Sequence, residues 1–124
     1  MADIQIPNGA VSLTSSSGNV AAAAATATFA APANGTNYVT GFIITAAGAT
    51  VGLPVIATLA GVVGGTMSFI YCAPAGALIG ATPYMITFPI PIAASAPLTA
   101  ITLTLPSLGT GNTNAAVVMT GFRL

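Results

Sequence analysis

Leu98-Thr99-Ala100-Ile101-Thr102-Leu103-Thr104-Leu105 is the stretch on which the fold turns. From Ile101 onward, Ile101, Leu103 and Leu105 fall on one side of an extended chain, and Thr102 and Thr104 fall on the other. That two-residue period belongs to a β-strand with one face on an apolar core. Elsewhere Asn, Gly, Pro and Ser divide the chain into pieces of similar length, most of which read the same way. The sequence therefore predicts an all-β protein built from short antiparallel strands.

Upstream, Val11 to Thr14 reads as a short strand, followed by a polar loop from Ser15 to Asn19. Val20 to Ala30 opens with an alanine run of good helix propensity, but Thr26-Ala27-Thr28-Phe29 alternates and favours a strand. Asn37 to Ala46 carries Tyr38, Val39, Phe42, Ile43 and Ile44, with Gly41 as a bulge or close-approach point. Leu53 to Val63 and Thr66 to Cys72 form a hairpin across Gly64-Gly65. After a Gly/Pro/Ala-rich connection from Ala73 to Pro83 comes Tyr84 to Phe88, which Pro89-Ile90-Pro91 is expected to end. Ala115 to Leu124 is the last strand. About eight short strands with no intervening helices suit a jelly-roll-like antiparallel β-sandwich, two Greek keys packed sheet on sheet. Residues 1–124 read as one domain, with 1–9 as an extended N-terminal arm closed by Asn8-Gly9.

The charge inventory is extreme. Asp3 and Arg123 are the only charged side chains, His, Lys and Glu are absent, and 55% of the chain is apolar. An ordinary globular domain is roughly a quarter charged and uses those charges to stay soluble. Three settings tolerate so neutral a chain: a lipid bilayer, a fibrous packing, or a symmetric assembly that covers much of the surface. Val51 to Cys72 is long and apolar enough for a spanning helix. However, Pro54, Gly64-Gly65 and the β-branched Val55, Ile56, Thr58, Val62, Val63 and Thr66 favour strand and turn. No flanking Lys or Arg would orient such a span, and a membrane barrel would need a more polar lumen face. The expectation is no membrane partner. Met-Ala-Asp-Ile-Gln-Ile lacks a basic n-region, so synthesis in the cytosol is expected. The single Cys72 has no disulfide partner within the chain and, without a basic neighbour, reads as a small, inert, buried hydrophobe.

Catalysis is poorly provided for. General acid–base chemistry needs a tuned His, carboxylate or Lys, and a Ser or Thr nucleophile needs an activating base. Asp3 and Cys72 alone do not close a metal site, and the Gly-Gly pair is followed by no Lys of a phosphate loop. One arginine makes no patch for nucleic acid. The expectations are that the protein is not an enzyme and has no catalytic residue, no metal site, no cofactor and no nucleic-acid partner. Phe42, Phe69, Tyr71, Tyr84, Phe88 and Phe122 read as core fillers rather than a sugar platform, which would usually include Trp. Asn34-Gly35-Thr36 matches a glycosylation sequon but reads as a turn. The candidate interaction residues are Ile4 and Ile6, which flank Gln5 in the arm, and Arg123, a partner for an acidic group or a solvated end charge.

Several segments together resemble small virion proteins of tailed bacteriophages, often encoded beside the major capsid protein. They are Ser17-Gly18-Asn19-Val20-Ala21, Asn37-Tyr38-Val39-Thr40-Gly41-Phe42, Thr45-Ala46-Ala47-Gly48-Ala49-Thr50, Phe88-Pro89-Ile90-Pro91-Ile92, Gly109-Thr110-Gly111-Asn112-Thr113-Asn114-Ala115-Ala116 and Gly121-Phe122-Arg123-Leu124. The resemblance spans most of the chain in turn-and-strand pieces. It implies a jelly-roll-like capsid decoration or cement protein on the outer head surface, with the major capsid protein and further copies of itself, as homo-dimer or homo-trimer, for partners. This chain is more apolar at Ile70-Tyr71-Cys72 and Met85-Ile86, which implies more contact area per subunit. The rival expectation is a head- or tail-fibre module that recognises a host-surface receptor or glycan.

Overall fold

The computed structural model describes residues 6–73, 75–76 and 83–124. Eight strands follow in order: β1 (Val11–Ser16), β2 (Ala25–Phe29), β3 (Asn37–Ala47), β4 (Pro54–Ala60), β5 (Met67–Cys72), β6 (Tyr84–Ala93), β7 (Ile101–Leu105) and β8 (Asn114–Arg123). They form two four-stranded sheets of order β1-β8-β3-β6 and β2-β7-β4-β5. β1 pairs with β8, β2 with β7, β3 with β6 and β4 with β5, all antiparallel. The chain is thus one long hairpin with its tip at β4–β5. Rolling it up brings β3 against β8 and β4 against β7. That is jelly-roll topology, as the strand spacing leads one to expect.

The period-2 pattern becomes the core directly. Ile101, Leu103 and Leu105 of β7 are fully buried, between Ala25, Ala27 and Phe29 of β2 on one side and Ala57 and Leu59 of β4 on the other. The facing sheet contributes Val39, Phe42, Ile44 and Ala46 from β3 and Ala115, Val117 and Met119 from β8. Large and small side chains alternate in this interior, which suits two sheets that must interdigitate. Phe42 joins the layers by an edge-to-face contact with Phe69, ring centroids 4.9 Å apart, and Tyr71 meets Tyr84 similarly at 6.1 Å. Burial of each large apolar side chain contributes about 1.5–3 kcal/mol.

Gly41 is where β3 slips register against both neighbours. A Cβ there would stand 2.5 Å from the Ile86 carbonyl oxygen, so only glycine lets β3 and β6 approach this closely.

Three sequence expectations need correction. Pro89 and Pro91 do not end the sixth strand: β6 runs to Ala93, because it is a sheet edge where a missing N–H goes unneeded. The alanine run is not strand throughout; only Ala25–Phe29 is. Val20 instead bridges to Ala115, and Ala22 turns the chain at φ 50° with its N–H donating to Asn112 Oδ1 at 3.0 Å. Cys72 is exposed rather than buried, because it falls on the outward face of β5. Most of the Ala73–Pro83 connection lies outside the described residues. Among the described residues there is no helix, and none long and apolar enough to cross a membrane.

Replacing fully buried Leu103 by Ala is expected to cost about 2–5 kcal/mol in urea unfolding. Leu53→Ala, at a residue 63% exposed, is expected to cost less than about 0.5 kcal/mol. Equal losses would contradict this assignment of inner and outer positions.

Candidate interaction surface

Alternation along the strands sends a second set of residues to the outside of each sheet. On the β2-β7-β4-β5 sheet the register aligns Thr26, Thr104, Thr58 and Ser68 in one row across all four strands. Beside it lies the row Thr28, Thr102 and Ala60. Toward the β4–β5 corner the hydroxyls give way to Ile56 paired with Ile70, and then Pro54 paired with Cys72. Ile56 and Ile70 are 54% and 71% exposed. Among the described residues no charged side chain stands on this face.

The outer face of the β1-β8-β3-β6 sheet is also neutral over its centre. Tyr38 stacks on Phe122 with ring centroids 4.8 Å apart. Thr40 Oγ1 donates to the Thr120 carbonyl at 3.1 Å, and Thr120 Oγ1 to the Gly41 carbonyl at 3.3 Å. Ile43 pairs with Val118 on one side and with Met85, 65% exposed, on the other. A shallow cavity of about 190 Å³ sits over the Gly41 bulge between Thr40, Ile43, Met85, Thr87 and Thr120. Its lining offers methyls, threonine hydroxyls and the Met85 thioether.

Of the candidate residues, Ile4 lies outside the described residues, as does Asp3. Ile6 is 45% exposed and precedes β1. Arg123 ends β8, half-buried, and the register sets Val11 and Asn37 beside it rather than Ile6. Among the described residues no group of His, Cys, Asp or Glu could hold a metal ion. Sequence reasoning missed the Ile56–Ile70 pair. Val55-Ile56 and Phe69-Ile70-Tyr71 are unbroken apolar runs, which periodicity alone does not divide into inner and outer residues.

Two buried asparagines fix the ends of this framework. Asn37 Nδ2 donates to the Ala30 carbonyl at 2.9 Å and to that of Thr99 at 3.4 Å, tying β3 to the opposite sheet. Asn112 Nδ2 donates to the carbonyls of Ala47 and Asn114 at 2.9 and 2.8 Å, while its Oδ1 accepts from Ala22. Tyr71 is also buried, and its hydroxyl has no hydrogen-bond partner among the described residues. Burial first, and the neighbouring Cys72 thiolate second, push the Tyr71 phenol above its ordinary value of 10.0.

No protein-family model matches the chain, and no curated protein or solved structure is significantly similar to it.

The folded state holds the Tyr71 proton more tightly than the unfolded chain does. Its contribution to stability is therefore intact below the ordinary value of 10.0 and is lost as pH rises past it. With no His and one carboxylate side chain in the whole sequence, the unfolding free energy is expected to stay level from about pH 5 to about pH 9 and then to fall. Denaturant midpoints across that range check this; a steep loss near pH 6 would contradict it.

Proposed function

We propose that the protein is a structural virion component: a capsid decoration or cement subunit that binds the outer surface of a phage head and stabilises the lattice. The observation that carries the reading is a surface almost without charge that leaves large apolar side chains in the open, among them Ile90 at 77%, Ile70 at 71% and Met85 at 65% exposure. A monomer of that kind has little to keep it apart from its neighbours, whereas a symmetric array covers the patches and turns them into contacts. Jelly-roll topology and the resemblance to small phage virion proteins support the same reading. The major capsid protein and further copies of the chain are the partners, with Ile4, Ile6 and Arg123 as candidate contacts from one end of the chain to the other. One arginine gives no basic surface for packaged DNA, which favours the outside of the head over the inside.

The second reading, a head- or tail-fibre module for a host receptor or glycan, draws on the exposed hydroxyl rows through Thr26, Thr104, Thr58 and Ser68. Such a module would bind host cells without the particle.

Heads prepared without the protein are expected to release DNA at lower temperature than heads to which it has been added back. Binding to heads is expected to change little between about 0.05 M and about 1 M NaCl, because there are almost no charges to screen. Equal heat resistance with and without the protein contradicts the reading, and attachment to host cells by the free protein favours the alternative.

A further inference from the structure

Each sheet of a sandwich ends in strands whose outer backbone groups are open to pairing, and proteins normally guard them. Three of the four terminal strands here are guarded. β1 and β2 meet across one side of the sandwich, where the Thr28 N–H donates to Ser15 Oγ at 3.0 Å, so each obstructs the other's free edge. β6 carries Pro89 and Pro91, which have no N–H to offer an incoming strand. β5 is different. Met67-Ser68-Phe69-Ile70-Tyr71-Cys72 contains no proline, glycine or charged residue, and its register with β4 is unbroken from Pro54↔Cys72 to Leu59↔Met67. Among the described residues β5 pairs with β4 alone, and Ile70 beside that edge is 71% exposed.

We infer that the β5 edge is the self-association surface of this protein, pairing antiparallel with β5 of a second copy across a two-fold axis. The two sheets then join into one of eight strands. Side-chain parity fixes the choices of register, because residues directly opposite one another must share a face. With the axis at residue 70, Ile70 lies opposite the partner's Ile70, Phe69 opposite the partner's Tyr71, and Ser68 opposite the partner's Cys72. Ile56 already pairs with Ile70 within each copy. The axis therefore completes a row of four isoleucines, two from each copy, running unbroken across the junction. The occupant is a second copy because the strand is neutral. A charged partner strand finds no complementary charge on β5, while two identical neutral strands meet without repulsion and bury the same apolar row. Six residues per strand make a small interface, so dissociation in the micromolar range is expected in free solution. A capsid lattice that holds neighbouring copies close would raise the effective concentration well above that.

The inference deepens the homo-oligomer part of the proposed function by naming its surface, and its test needs no capsid. Sedimentation of the full chain at rising concentration is expected to show a monomer–dimer equilibrium. Ile70→Lys places two like charges opposite each other and should weaken the dimer by about a hundredfold or more, since the change enters the interface twice. At a position this exposed, the far-UV spectrum should not change. In a Cys72→Ser background, Ile70→Cys is expected to form a cross-linked dimer under mild oxidation. The native Cys72 should not, because this register separates the two copies of Cys72 by four positions along the strands, about 13 Å. A chain that stays monomeric to about 1 mM, a trimer, a dimer indifferent to Ile70→Lys, or efficient cross-linking through Cys72 instead of position 70 would each overturn the inference. A β5 dimer that fails to bind heads would count against the capsid role alone, and a monomer that binds heads would count against the β5 interface alone.

Discussion

The ladder between β3 and β8 is the constraint on which the other contacts depend. It runs from Asn37↔Arg123 to Ala47↔Asn114, with one slip at Gly41. Both strands lie inside their sheet, so the ladder joins the β1–β8 pair to the β3–β6 pair and makes one four-stranded sheet of them. Buried asparagines pin its two ends. Asn37 reaches across to the opposite sheet at the Ala30 and Thr99 carbonyls, and Asn112 gathers Ala22, Ala47 and Asn114 at the other end. In a chain with only two charged side chains, amide groups perform the locating role, and each carbonyl or N–H they satisfy would be costly if left unpaired in the interior.

The same shortage of charge shapes the exterior. Where most domains place Lys and Glu on the outward strand positions, this one places Thr, Ser, Ala, Ile and Met. Threonine fits a pleated sheet and hydrogen-bonds without ionic desolvation, so a Thr-faced sheet is comfortable in water and inexpensive to cover. Beside the hydroxyl rows, exposed apolar side chains cluster at the β4–β5 corner and along β6. A surface of this composition favours contact over isolation, and such contacts should be largely indifferent to salt.

Much of the fold was legible in the sequence because it rests on period-2 alternation and on turns with Asn, Gly and Pro. Ile101 to Leu105, the Gly41 irregularity and the long strands β3 and β8 could be located from residue type alone. The errors have physical sources. Pro89 and Pro91 reveal a stop only if the strand is internal, and edge position is a property of topology. The run Phe69-Ile70-Tyr71-Cys72 is apolar on both faces, so Cys72 read as buried although it points outward. The hydroxyl row shows the opposite case. Thr26, Thr28, Thr102 and Thr104 were visible as alternation, but their alignment with Thr58 and Ser68 exists only through cross-strand register. Asn112, between two loop residues, carried no signal that it would be buried.

Among the described residues the jelly roll leaves apolar corners open and one terminal strand, β5, paired on a single side. The central claim is that its working state is as one of many copies on the outside of a phage head. Gold-labelled antibody against the full chain, applied to intact, purified phage particles from the host in which the protein is made and viewed by electron microscopy, tests that claim most directly. The account predicts dense label over the head of unbroken particles. Label confined to the tail tip, or particles with no label while the protein is recovered in host membranes, would contradict it.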